Sequence, residues 1–147
     1  VEASAAGDAR LAWLNATWRI TASSEFDPDA LLLDLARAIQ ARLADIPAEP
    51  AHVKMTLQSG PILAIANLLS SDRPPELSRP ARSRLTTATL NINGRAEGQP
   101  SALRECVEAA VAAVIQPIAR ELTCRSIRET APTLLSDTCR IEGAGDD

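Results

Sequence analysis

The sequence is poor in aromatic residues. Its 147 residues include two tryptophans, one phenylalanine and no tyrosine, so the core must consist mainly of Leu, Ile, Val and Ala. Proteins that bind single-stranded nucleic acids stack several bases on aromatic side chains, which this composition does not supply. The net charge of -4 also gives no general attraction to phosphate backbones. The composition therefore predicts that nucleic acids are not partners.

Histidine and cysteine are scarce as well. His52 is the only histidine, and the three cysteines, Cys106, Cys124 and Cys139, show no C-x-x-C spacing. A structural zinc site usually needs four such ligands, so we expect no metal and no other cofactor. An odd number of cysteines, without the basic and apolar parts of a signal peptide, is typical of a reducing, bacterial-type cytoplasm.

Long apolar runs and catalytic motifs are missing too. The longest apolar run, residues 109–115, is far too short to cross a bilayer, so no membrane partner is expected. The sequence has no G-x-S-x-G motif and no P-loop, and no motif places a nucleophile beside His52. The sequence therefore assigns no catalytic residue and favours a protein that is not an enzyme.

The sequence does contain a regular order of periodic segments. Alternation of apolar and polar residues over positions 11–20 predicts a half-buried strand. Asp27 suits a helix cap and Pro28 a first helical position, and Pro47 ends the helical pattern that follows. The apolar stripe of this helix is Leu32, Leu35, Ile39, Leu43 and Ile46.

The middle and the end of the chain continue this order. Residues 52–58 and 62–69 predict a hairpin, and residues 70–84, rich in Pro, Ser and Arg, predict a long loop. A strand over 86–93 leads to a second helix with apolar positions as far as Leu122, which Pro117 should kink. Residues 122–129 also fit a last strand.

Two helices and four or five strands in this order predict an α+β fold. We expect a two-layer sandwich of ferredoxin-like type, with a mostly antiparallel sheet and both helices on one face. One domain should span residues 1–147, with residues 1–10 and 133–147 flexible. The other face of the sheet would stay open and polar.

The open face holds the candidate binding residues. It would combine an indole, an imidazole, amides and basic groups, a set that can bind a small anion. Arg95 would follow its strand and lie beside the start of the second helix, where an anion could also bind. The sequence favours the alternative that this face is solvated or contacts a partner. The candidates are Trp13, Arg19, His52, Lys54, Asn91, Asn93 and Arg95.

Part of the chain resembles a known family. The run HVKMTLQSG, its hairpin partner and the run LNINGRAEG resemble the C-terminal domain of the CobW-like P-loop GTPases over roughly residues 50–125. The H-x-K strand segment of that domain corresponds to His52, Val53 and Lys54. The resemblance implies an accessory domain that helps to choose a partner or client and does not itself hydrolyse GTP. The sequence has no Walker motif and no metal-binding cysteine motif.

Two hypotheses about function follow. The first is a non-enzymatic accessory or partner-binding domain that acts through the open sheet face or the 70–84 loop. Its partner would be another protein or a second copy of itself. The alternative is a small-molecule-binding protein or small enzyme, with His52 as acid or base and Lys54 and Arg95 holding an anion.

Overall fold

The computed structural model describes residues 11–45, 50–98 and 100–130. The segments predicted to be flexible, residues 1–10 and 133–147, lie outside these ranges, as do Ile46 and Cys139. The described residues form six strands, two α-helices and one 3-10 turn. In chain order these are β1 (Leu11–Phe26), α1 (Pro28–Ala44), β2 (Pro50–Ser59), β3 (Ile62–Leu68), β4 (Glu76–Arg79), β5 (Leu85–Glu97), α2 (Pro100–Val114), the 3-10 turn (Gln116–Ile118) and β6 (Ala119–Thr130).

The six strands form one antiparallel sheet in the order β4-β3-β2-β5-β1-β6. Because β5 pairs antiparallel with both β1 and β2, these two strands run parallel to each other and are joined through α1. In the same way β1 separates β5 from β6, which are joined through α2. The prediction of an α+β fold with an antiparallel sheet is confirmed, whereas the strand count of four or five is wrong.

One face of the sheet packs against both helices in a single core. Its strand residues include Trp18 of β1, Leu57 of β2 and Ile92 of β5, all buried. The described part of the predicted stripe on α1 is fully buried: Leu32, Leu35, Ile39 and Leu43. Among the described residues no polar or charged side chain is buried, so this layer is held together by apolar packing.

Helix α1 begins where the sequence predicts. The Oδ1 of Asp27 accepts hydrogen bonds from the backbone N–H of Asp29 at 3.0 Å and of Ala30 at 3.4 Å. Pro28 occupies the first turn, where its missing N–H has no helical partner to lose. The N-terminal prediction for this helix is confirmed.

Helix α2 is shorter than its apolar pattern suggests. It ends at Val114, and Pro117 lies in the 3-10 turn, so the expected kink at this proline is wrong. Pro117 cannot donate a helical hydrogen bond, and the chain instead turns and pairs with β1. Leu122 therefore lies on β6, opposite Ile20 of β1.

The predicted 70–84 loop contains strand β4, which accounts for one of the additional strands. Among its four residues, Leu77 packs against the core. A strand this short gives no periodic signal in the sequence. The segment is tied to α1 on both sides of β4. Nε2 of Gln40 donates to the carbonyl oxygen of Arg73 at 2.7 Å, and Asp29 accepts from the N–H groups of Ala81 at 2.7 Å and Arg82 at 3.2 Å.

Candidate functional site

The open face of the sheet is organised by cross-strand pairing of β1, β5 and β2. In one row Trp13 lies opposite Arg95, which in turn lies opposite His52. In the next open-face row Asn93 of β5 lies opposite Lys54 of β2. We call Trp13, His52, Lys54, Asn93 and Arg95 the cationic patch. Strand alternation places all of them on the side away from the helices.

Arg95 occupies a different place from the predicted one. Strand β5 continues to Glu97, so Arg95 is a strand residue on the open face and does not follow the strand as predicted. Its Cζ lies 4.9 Å from the centroid of the Trp13 ring, which is the distance of a cation–π contact. The indole, 40% exposed, therefore holds the guanidinium in a defined position at the surface.

His52 is oriented by a chain of hydrogen bonds across β3 and β4. Its Nε2 lies 2.9 Å from Oδ1 of Asn67, and Nδ2 of Asn67 donates to Oγ of Ser78 at 2.9 Å. The partner atom on Asn67 is an amide oxygen, which only accepts, so Nε2 of His52 is the donor in this hydrogen bond. The ring is thus fixed by an amide, which adds no charge to the site.

The cationic patch and Gly94 line a half-open depression of about 240 Å³. Pockets that enclose small-molecule ligands usually measure roughly 300 to 1,000 Å³ and cover most of the ligand. The depression is below that range, so it suits a single carboxylate or phosphate group better than a whole metabolite.

Three basic side chains of the open face form no ion pair with a described carboxylate. Within the described ranges no Asp or Glu lies at ion-pair distance from Arg19, Lys54 or Arg95. The ion pairs that are present lie elsewhere, for example between Arg104 of α2 and Glu129 of β6 at 2.9 Å. In this protein of net charge -4, the depression is therefore lined by basic and neutral side chains and by no described carboxylate.

Two predicted site residues lie outside the cationic patch. Arg19 is six positions from Trp13 along β1, roughly 20 Å away at the rise of a strand, and lines a separate hollow with Gln58 and Thr89. Asn91 is engaged within the sheet. Its Nδ2 lies 3.0 Å from Oδ1 of Asn15 and 3.0 Å from Oγ1 of Thr17.

Sequence reasoning missed the residues that orient His52. Asn67 interrupts the apolar run ILAIANLL, and this single polar residue was the available signal that one side of β3 faces the open surface. Ser78 gave no signal, because it lies in a segment that the sequence assigns to a loop. Leu63 and Ile65 share the open side of β3 with Asn67 and are half-buried.

Other chemical groups in the described ranges do not form a second site. No group of three or more His, Cys, Asp or Glu residues there is arranged to hold a metal ion. Cys106 of α2 packs into the core, and burial raises the pKa of its thiol. Of the helices in the described ranges, none combines the length and the apolar character needed to cross a membrane.

Comparisons with models of protein families, with curated proteins and with solved structures gave no match. The resemblance to the C-terminal domain of the CobW-like GTPases therefore stays a prediction.

Proposed function

We propose that this chain is a non-enzymatic binding domain whose cationic patch holds an acidic segment of a protein partner. The observation that supports this proposal most is the row of Trp13, Arg95 and His52 with Lys54 beside it and no described carboxylate at ion-pair distance from Lys54 or Arg95. Carboxylate groups would supply the missing counter-charge, and the indole would contact the apolar part of the acidic segment.

The fold fits an accessory role of this kind. We infer that it is a ferredoxin-like sandwich to which β3 and β4 have been added beyond β2. In this arrangement the cationic patch lies on three inner strands of the sheet, β1, β5 and β2. The resemblance to the CobW-like C-terminal domain also favours an accessory domain that chooses a partner. We expect this chain to act in the cytoplasm.

The open face supports partner binding better than the 70–84 loop does. The hydrogen bonds of Gln40 and Asp29 tie this segment to α1 without any partner. A docking segment that orders only on binding would have no such internal anchors. The negative net charge does not oppose binding, since at 0.1 M salt charges interact over only about 10 Å.

A titration with a short poly-glutamate peptide tests the proposal. Fluorescence of the exposed Trp13 reports binding, and the affinity should fall as salt is added. Each exposed ion pair contributes about 0.2–1 kcal/mol, so the double variant Lys54→Gln/Arg95→Gln should bind roughly tenfold more weakly. Arg19→Gln, which removes a basic side chain from the same face outside the patch, should change the affinity less than about twofold.

Two results would contradict the proposal. One is the absence of saturable binding of poly-glutamate at low salt and millimolar peptide. The other is an equal loss of affinity in Arg19→Gln, which would show diffuse attraction in place of a site. An uncharged peptide of the same length, such as a Gly-Ser repeat, serves as the control peptide and should not bind.

The depression favours one alternative, a small anionic ligand held by Lys54 and Arg95 beside His52. In that case phosphate or citrate should raise the thermal unfolding temperature, and His52→Ala should abolish the rise. A peptide has more groups than citrate with which to contact the face, so poly-glutamate should bind more tightly under the main proposal. Equal affinity for citrate would favour the alternative.

A further inference from the structure

A second, smaller hollow lies on the open face, toward the end of β2 and the start of β5. It is half-open and measures about 130 Å³. Three strands and the turn between β2 and β3 contribute to its lining, which includes Arg19, Gln58, Ser59, Gly60, Thr87 and Thr89. We call this space, with these residues, the Arg19 hollow.

The hollow forms where β2 stops pairing with β5. The ladder between the two strands ends at Gln58 and Thr89, and β2 then turns into β3. The turn uses Gly60 at a φ of +60°, and a Cβ there would meet nothing within 4 Å, so open space remains beside β5. Ala88 and Thr87 pair with β1 but with no described residue of β2. Because successive strand residues direct their backbone groups to opposite sides, one of these two turns its N–H toward the hollow.

The side chains of the hollow are brought together by strand register. Arg19 of β1 lies opposite Thr89 of β5, which in turn lies opposite Gln58 of β2. Thr87 is two positions from Thr89, so both hydroxyls lie on the same face. Nε2 of Gln58 donates to the carbonyl oxygen of Gly60 at 3.3 Å, which holds this amide against the turn. One guanidinium, one amide and several hydroxyls therefore border a single small space.

Arg19 is the one charged side chain among the described residues that line the hollow. It is exposed, and no carboxylate in the described ranges forms an ion pair with it. Glu121 of β6 lies on the same face, opposite Thr21, but it is not one of the described lining residues. The hollow therefore combines one positive charge with neutral polar groups and favours an anionic group.

The set of donors favours a phosphate over a carboxylate. A guanidinium is a planar fork of N–H donors that binds two oxygens at once, and this would already satisfy a carboxylate. A phosphate has further oxygens, to which the hydroxyls of Ser59, Thr87 and Thr89 can donate. Pockets that enclose a whole small molecule usually measure at least about 300 Å³, so this hollow fits the phosphate group alone.

We propose that the Arg19 hollow is a binding site for a phosphate group, carried by the free ion or by a phosphomonoester. Because the hollow is half-open, the oxygen that faces solvent can carry an ester substituent. Arg19 lies roughly 20 Å from Trp13 along β1, so this site and the cationic patch do not share a ligand group. The inference does not depend on what the cationic patch binds.

An NMR titration with inorganic phosphate tests this site. The variant Lys54→Gln/Arg95→Gln is used throughout, so that the cationic patch cannot supply the binding, and chloride keeps the ionic strength constant. The backbone amide signals of Gly60, Ala88 and Thr89 should shift and saturate together. With one exposed charge and a few hydrogen bonds, the dissociation constant should be on the order of 1 mM.

Substitutions in the same background show which groups hold the anion. Arg19→Gln removes the charge and the fork, and should weaken phosphate binding at least about tenfold. Thr89→Val keeps the shape and removes one hydroxyl, and should weaken it about threefold. Thr56→Val is the matched control, since Thr56 lies on the open face of β2 outside the hollow. It should leave the dissociation constant unchanged.

Two further ligands identify the chemistry and its source. Acetate should bind at least about fivefold more weakly than phosphate, because it cannot engage the guanidinium and the hydroxyls together. Glycerol phosphate that binds as tightly as inorganic phosphate would identify a monoester site. Much weaker binding of glycerol phosphate would identify a site for the free ion.

Thermal unfolding separates this site from an anion site at the cationic patch. Phosphate bound in the Arg19 hollow raises the unfolding temperature of the original protein, since it binds only the folded chain. This part of the rise should persist in His52→Ala and disappear in Arg19→Gln.

Three results would overturn the proposal. The first is the absence of saturable shifts at Gly60, Ala88 and Thr89 at tens of millimolar phosphate. The second is unchanged phosphate affinity in Arg19→Gln, whose amide spectrum would show that the exposed substitution leaves the fold intact. The third is equal affinity for acetate, which would mean that the hollow does not distinguish a phosphate from a carboxylate.

Discussion

The two faces of the sheet are built from alternate residues of the same strands, yet they differ in burial and in polarity. Ile92 and Asn91 are neighbours on β5. Ile92 is fully buried between the sheet and the helices, whereas Asn91 lies half-buried on the open face and bonds to β1. The covered face has no buried polar side chain in the described ranges. On the open face, Lys54 and Arg95 have no described carboxylate at ion-pair distance.

Under the proposed function, this difference separates stability from binding. Burial of apolar area is the main favourable term in folding, and it is concentrated on the covered face. Residues of the cationic patch are exposed or half-buried and contribute little of that area. The charge of the open face can therefore change without a change of fold, and substitutions on adjacent residues of β5 should show the difference between the two faces.

The largest effect is expected from Ile92→Ala on the covered face. Removal of a fully buried isoleucine leaves a cavity, and such substitutions cost about 2–5 kcal/mol in the free energy of unfolding. Urea unfolding followed by the fluorescence of buried Trp18 measures the loss. Asn93→Ala, the exposed neighbour, should stay within about 0.5 kcal/mol of the original protein. Equal losses in both variants would contradict the division between faces.

The covered face could be predicted from the sequence because its signal is periodic. Alternation in β1 and the stripe on α1 identify buried residues position by position. The ends of elements were harder to predict, as shown by Pro117. An apolar pattern continues past Val114 into Leu122, and only the pairing with β1 decides that this part is a strand. The periodicity of a local segment does not show that it will pair with a strand far away in the sequence.

A smaller effect is expected from Asn91→Ala on the open face. This change removes an amide that lies within hydrogen-bond distance of Asn15, Thr17 and the carbonyl oxygen of Ala16. Loss of a partly exposed hydrogen-bonding group costs about 1 kcal/mol, and binding at the cationic patch should be unchanged. Paired urea unfolding and poly-glutamate titrations check both statements. A stability loss as large as that of Ile92→Ala would show that the open face also supports the fold.

The sequence predicted which residues share the open face better than it predicted how they are arranged there. Strand periodicity placed Trp13, His52 and Lys54 on one surface. It did not give the register between strands, which sets Arg95 between Trp13 and His52. Register depends on pairs that are far apart in sequence, so it emerges only when the whole sheet forms.

The smallest effect concerns the two cysteines that the structure describes. Burial raises the pKa of Cys106, while Cys124 on β6 is exposed, so maleimide at pH 8 should modify Cys106 at least about tenfold more slowly. Mass spectrometry of a Cys139→Ser variant measures both rates. Equal rates would mean that α2 opens readily from the core.

The same shift has a consequence for alkaline stability. Because the folded-state pKa of Cys106 lies above the ordinary value of 9.0, the unfolded chain loses this proton first as pH rises. The contribution of the thiol to stability is therefore complete below that value and is lost as pH rises through the folded-state pKa. Unfolding midpoints should fall less steeply above pH 9 in Cys106→Ala than in the original protein.

The central position of β5 determines the order in which the chain can fold. This strand pairs with β1 and with β2, and Asn91 bonds to Asn15 across a separation of 76 residues. In the sheet β5 lies between β2 and β1. Before β5 is in place, the strands β2, β3 and β4 are not hydrogen-bonded to the strands β1 and β6. Closing so long a loop is entropically costly and comes before most of the stabilising contacts. We therefore expect this domain to fold in milliseconds to seconds, with the insertion of β5 as its slow step.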